Sequence, residues 1–224
     1  MAPNTLSMRA LAGRYRVCCA SDGFLRSALM SSLAFIASVI ANFYAGLYAT
    51  HRASNPVTDI ILSNVGPFDL NAIFVYGTFA LVGFFVILLI CKPERIPFTL
   101  YSFALFYFVR AIFVSLTHIG PAPIPQTENF SLVVTTFFFG GDLFFSGHTG
   151  APYLMALIFW RDRVVRGIFL TSSIVFGIVV LLAHLHYTID VVAAFFVAYG
   201  VFRMAQHYFE KADASLRSTP SVNP

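Results

Sequence analysis

The sequence predicts an all-α membrane protein of six transmembrane helices, with both termini cytoplasmic and its polar residues gathered at the outer face. Three observations carry this. The 224 residues are 58% hydrophobic and only 11% charged, with a mean hydropathy of +0.78, which is more apolar surface than one soluble core can hide. Apolar runs recur along the chain, most of them near the roughly 20 residues that cross a hydrocarbon core. The basic residues cluster in alternate connections between those runs, as they do when positive charge is held on one side of a bilayer.

Residues 1–26 are polar and basic, with no short apolar core ahead of a small-residue cleavage site. No cleavable signal peptide is expected, and the segment is read as cytoplasmic. The run 27–50 forms the first span and serves as signal anchor; 71–91 and 98–117 form the second and third. The run 147–160 is shorter, but it counts as the fourth span, because without it the arginine-rich segments on its flanks could not be sorted onto one side. Runs 167–183 and 187–209 complete a single six-helix domain over 27–210, and the tail 211–224 is expected to be disordered. The stretch "FSLVVTTFFF" at 130–139 is too short to span and is read as lying along the interface or re-entering the site.

With the N-terminus inside, the inner segments hold Arg9, Arg14, Arg16, Arg26, Lys92, Arg95, Arg161, Arg163, Arg166, Arg203, Lys211 and Arg217, which is twelve of the fourteen basic residues. Arg52 alone lies in an outer loop, and Arg110 lies within the third span. The sequence pI near 9.1 then reflects attraction to the anionic inner leaflet, and nucleic acid is not an expected partner. Cys18, Cys19 and Cys91 all fall inside, where they are expected as free thiols, with palmitoylation of Cys18 and Cys19 the lesser alternative.

Against this apolar background, "GGDLFFSGHTGAPY" at 140–153 and "HLHYTIDVVAAFF" at 184–196 bring polar groups to the outer face twice. An ionisable group in a span costs about 2.5–3.5 kcal/mol on insertion scales, so Arg110, His148, His186 and Asp190 at one level imply a shared site. His186 and Asp190 are four apart, so on a helix the carboxylate can bond one ring nitrogen and leave the other as a nucleophile. His148 follows Ser146 and Gly147 at the start of a helix, where free N–H groups favour an anion and His148 could donate a proton. Arg110 offers a planar, permanently charged fork for phosphate oxygens. Nucleophile, acid and anion clamp together fit phosphoryl transfer through a phosphohistidine. His184 is read as a polar residue in a turn, since a metal site would need further ligands that the sequence does not supply. His51, His118 and His207 are read as hydrogen-bonding at span ends.

The motifs "GDLFFSGHT" and "HYTID" resemble the third and fourth motifs of sphingomyelin synthases, within the wider type 2 phosphatidic acid phosphatase superfamily. Tyr107, Arg110 and Thr117 fit that family's Y-x2-R-x6-T pattern, and "NPVTD" at 55–59 is loosely similar to the P-x-x-D of its first outer loop. The resemblance implies that His186, activated by Asp190, attacks the phosphorus of a membrane phospholipid donor and releases diacylglycerol, with His148 helping proton transfer. A lipid-alcohol acceptor such as ceramide then takes the phospho-head group. Tyr107, Arg110, Asp142 and Ser146 would bind phosphate and head group; no cofactor or metal is implied. Asp142 could equally serve a turn or cap, and Glu128 is a further candidate to assist His148. The chain departs from the family pattern at Pro97, Phe98, Gly140 and Phe195, and has Val179 and Val180 where the superfamily's phosphatases carry Ser-Arg. The alternative is a lipid phosphatase or phospholipase C-type hydrolase on the same site; a non-catalytic lipid transporter or scaffold is the third reading. A bacterial inner membrane and a eukaryotic Golgi or plasma membrane both suit this topology, and the oligomeric state is left open.

Overall fold

The computed structural model describes residues 8–122 and 143–217, and among them every regular element is a helix. In chain order these are α1 (Met8–Ala20), α2 (Phe24–Arg52), α3 (Asn71–Cys91), a short 3-10 turn (Pro93–Arg95), α4 (Ile96–Leu116), α5 (Gly147–Ile158), α6 (Arg163–Leu182) and α7 (Thr188–Arg217), the last broken at Phe209. Five of them are long and apolar enough to cross a membrane: α2, α3, α4 with its preceding turn, α6, and α7 up to Phe209. The protein is therefore an integral membrane protein. The 12 residues of α5 rise only about 18 Å, against a hydrocarbon core of about 30 Å.

The segment 1–26 holds a helix that its polar composition did not announce. Helix α1 forms because tertiary contacts hold it: Arg14 bonds the Cys91 carbonyl at 2.8 Å and pairs with Glu94, and the Tyr15 hydroxyl bonds the Ile90 carbonyl. The chain then turns into α2 at Gly23, whose φ of 83° lies in the left-handed region where a side chain would be strained.

Helices α2 to α7 run alternately between two ends of the bundle. At one end lie α1, the α3–α4 turn and the α6 start, joined by Arg14–Glu94 and by Lys92 Nζ to Asp162 Oδ2 at 2.7 Å. The other end gathers the α2–α3 connection, the α4 terminus and the starts of α5 and α7, through Ser54 N to the His118 carbonyl, Phe68 N to the Leu182 carbonyl and Ser146 N to the Asp190 carbonyl. The arginine-rich connections thus share one end and the histidine motifs the other.

Packing explains how a short helix can stand at the centre. Ser31, Ser38 and Ala45 recur every seven residues on the face of α2 that meets α4, where Thr99 and Ser102 are also buried, so the two backbones approach closely. Helix α5 is surrounded by α4, α6 and α7, with Leu154, Met155 and Ala156 buried. A Cβ on Gly150 would stand 2.9 Å from the Phe106 ring, so only glycine admits that contact. Helix α3 is apolar on all sides and exposes Phe79, Val82, Val86 and Ile87, the pattern of a helix facing lipid.

Candidate active site

The start of α7 sets the first half of the site. Helix α6 ends in a tight reversal in which Leu185 N and His186 N both bond the Val180 carbonyl, and His184 adopts φ 55° with Nε2 on the Val65 carbonyl at 2.9 Å. His186 is buried, and its Nδ1 lies 2.9 Å from the Leu143 carbonyl and 3.4 Å from Asp190 Oδ2. Both neighbours can only accept, so Nδ1 carries the proton and Nε2 keeps the lone pair. The four-residue pairing expected from sequence is present, but the shorter bond goes to a backbone carbonyl of another segment. Asp190 is fully buried; Oδ2 also accepts the Tyr187 N–H at 2.9 Å, and among the described residues Oδ1 has no hydrogen-bond partner. This carboxylate reaching back from the first turn is half of a capping box.

The start of α5 supplies the second half. Ser146 is its N-cap, accepting from Thr149 N at 3.4 Å, and the Ser173 hydroxyl donates to the Thr149 carbonyl at 2.7 Å. The His148 ring is flanked by Phe74, at 4.6 Å between centroids, and Phe176, at 6.2 Å. Arg110 is 5% exposed; its Nε donates to the Phe145 carbonyl at 3.1 Å and Nη1 to Asn42 Oδ1 at 3.2 Å. A Cβ on Gly147 would lie 3.4 Å from Arg110 Nε, an ordinary van der Waals distance, so the guanidinium stands directly against the helix start.

The two halves meet. Ser146 N bonds the Asp190 carbonyl at 3.1 Å, and Gly147, next to His148, stands against the Arg110 guanidinium. His148, His186, Asp190, Arg110 and Ser146 are therefore brought together. Tyr107 lies one turn before Arg110 on α4, its ring among Phe35, Phe103 and Phe106. Thr117 ends α4 with its hydroxyl on the Phe113 carbonyl. Asp142, Glu128 and the stretch 130–139 lie outside the described residues. The His118 ring packs edge-on against Tyr48, and among the described residues its buried Nε2 has no hydrogen-bond partner.

Sequence reasoning missed several supports. Asn42 orients Arg110, and it was visible as a carboxamide in the interior of an apolar span, where a polar group calls for a partner. Phe74 and Phe176 carried no signal among 26 phenylalanines. Tyr187 is 2% exposed, and its hydroxyl donates to the Gly120 carbonyl at 2.8 Å while accepting the Val57 N–H at 3.2 Å. Asp59, met only as part of "NPVTD", accepts the Thr188 N–H at 2.8 Å and the Thr188 hydroxyl at 2.7 Å, as well as the Ile61 and Leu62 N–H groups. Burial raises the Asp59 pKa, but those four bonds outweigh it and hold the carboxyl below its ordinary 3.8.

Comparison with curated proteins found no match, and comparison with solved structures found none. Residues 140–208, which contain His148, His186 and Asp190, match the family model described as PAP2 superfamily C-terminal. That match supports the type 2 phosphatidic acid phosphatase superfamily for this chain, and with it an enzyme that is a phosphatase or a phosphotransferase.

Proposed function

We propose that the protein is a lipid phosphotransferase resembling sphingomyelin synthase, moving a phospho-head group from a glycerophospholipid to ceramide or a related lipid alcohol through a phosphohistidine. The observation that carries this reading is the fixed tautomer of His186: Nδ1–H is held by Leu143 and Asp190, leaving the Nε2 lone pair for attack. In the first step Nε2 bonds the phosphorus, the bond to the diacylglycerol oxygen breaks, and His148 gives that oxygen a proton. In the second, neutral His148 takes the proton of the acceptor hydroxyl, whose oxygen displaces Nε2 and restores the imidazole. Arg110 and the N–H groups at the start of α5 stabilise the charge that builds on the phosphoryl oxygens. Asp190 stabilises the cationic phosphoimidazole ring, as a buried carboxylate does for an imidazolium.

The same reading takes α5 as the sixth span, with both termini cytoplasmic and the site at the outer face. A helix of 12 residues starting at the site sets His148 back from the membrane surface by part of the difference between about 18 Å and a core of about 30 Å, at the depth of lipid head groups and glycerol. The superfamily also holds hydrolases, and water in place of the acceptor hydroxyl turns the same two steps into a phosphatase or phospholipase C-type reaction.

Purified protein in liposomes of phosphatidylcholine and phosphatidylethanolamine, with and without fluorescent ceramide, tests the proposal beside His186→Ala. Wild type is expected to form a head-group-bearing ceramide that the variant does not. Water-soluble phosphocholine or phosphoethanolamine released without ceramide would assign the hydrolase, and turnover retained in His186→Ala would end the phosphohistidine mechanism.

A further inference from the structure

The connection between α2 and α3 is a strap laid across the site end of the bundle, and little packing holds it down. Pro56, Val57 and Thr58 are exposed, Ile60 is 78% exposed, and beneath the strap is a cavity of about 340 Å³ with Thr58, Ser63, His184 and Tyr187 in its walls. Its position therefore depends on polar bonds. Those nearest the site run to two successive residues at the start of α7, Val57 to Tyr187 and Asp59 to Thr188, while Ser54, Asn55, Val65 and Phe68 are bonded to His118, Gly120, His184 and Leu182.

Thr188 is the first residue of α7, and its N–H belongs to the set that a helix cannot satisfy internally. Asp190 takes the preceding N–H, of Tyr187, from within the helix, and a carboxylate 129 residues earlier in the chain takes that of Thr188 together with its hydroxyl. Asp59 thus caps α7 from outside, and the negative charge also suits the positive end of the helix dipole. The backbone so anchored carries His186 two residues before the cap and Asp190 two residues after it.

We propose that Asp59 is a positioning residue of the site: by capping α7 in trans it fixes where the His186–Asp190 pair stands relative to His148 and Arg110. The proposal rests on the phosphohistidine reading above, but its test does not depend on turnover. When the cap is lost, the start of α7 frays, Nδ1 of His186 leaves the Leu143 carbonyl, and the imidazole samples both neutral tautomers. Chemistry then slows while the substrate still binds, so kcat falls on the order of 10- to 100-fold, as for a small misplacement of a reacting group, and KM changes little.

The test uses full-length protein, labelled with ¹⁵N at histidine and held in lipid nanodiscs, with the His186 signals assigned by difference from His186→Ala. Wild type is expected to show a single Nδ1–H tautomer, and Asp59→Asn a mixture. Thr188→Val, which keeps the backbone bond and removes only the hydroxyl, is expected to fall between them and provides a variant that still folds if Asp59→Asn does not. A wild-type tautomer in both variants, at unchanged melting temperature, overturns the proposal whatever the activity. A fixed tautomer in wild type with no His186-dependent product would instead remove the phosphotransfer reading and leave the cap standing.

Discussion

Asp190 gives one oxygen to two neighbours, and among the described residues its other oxygen is buried without a partner, a costly arrangement that a histidine gaining positive charge beside it would offset. Replacing Asp190 by Asn keeps the shape and removes the charge, so kcat is expected to fall about 10²- to 10⁴-fold, the range of a lost acid–base contribution. His186→Ala is expected to abolish turnover, read in the same liposome assay. Arg110 is the second residue on whose particular chemistry the proposed mechanism depends. Arg110→Lys keeps the charge but loses the fork held by Asn42 and the Phe145 carbonyl. A fall in kcat/KM of about tenfold or more, near 1.4 kcal/mol of transition-state binding, is expected. Asn42→Leu should reproduce part of that loss, since it leaves the arginine in place but frees its orientation.

Among the helices, α5 carries the strictest demands. Its N-cap is Ser146, its second residue is His148, and Pro152 has no N–H for the His148 carbonyl four residues earlier. Small residues then let it reach its neighbours: Gly150 meets Phe106 of α4, and Gly177 of α6 meets Val191 and Thr149. Gly150→Val forces the Phe106 ring or the helix itself to move, so a destabilisation of about 1–3 kcal/mol, the cost of overpacking, is expected as a lower melting temperature. Helix α1 sits at the other extreme. Its pair Arg14–Glu94 is partly exposed, so Arg14→Ala should cost at most about 1 kcal/mol and leave kcat alone.

The whole molecule is fastened at both ends by carboxylates, and that sets its response to acid. Asp59 and Asp162 both lie outside the helices that cross the membrane, and both are held below the ordinary 3.8: Asp162 chiefly by its bond from Lys92 and by capping α6 through Val165, Asp59 by Thr188, Leu62 and Ile61 against its burial. A carboxyl whose pKa is depressed in the folded state contributes stability above its unfolded value, and that contribution disappears as pH falls through the lower folded value. Melting temperature is therefore expected to be insensitive to these groups near neutral pH and to drop once pH passes below about 4. Asp59→Asn should remove part of that acid-induced drop. The proposed orientation has its own check: a cysteine introduced by Ile60→Cys, on the exposed strap, should react with an impermeant maleimide from outside, while native Cys19 at the arginine-rich end should react only after permeabilisation.

Sequence by itself determined the helical membrane class, the limits of the long helices to within a few residues, and the sorting of basic connections to one end, because length and hydropathy are local properties fixed by the solvent each segment must meet. It also marked His148, His186, Asp190 and Arg110, since ionisable groups in apolar runs need a reason to be there. Tertiary structure decided what those groups touch. That Leu143 and not Asp190 makes the shorter bond to His186, that Asn42 holds Arg110, that Phe74 and Phe176 flank His148, and that α1 forms at all, depend on segments tens of residues apart in the chain. No periodicity records such meetings. The Asp59–Thr188 cap spans 129 residues, and only the folded chain shows that a loop aspartate and a helix threonine are one joint.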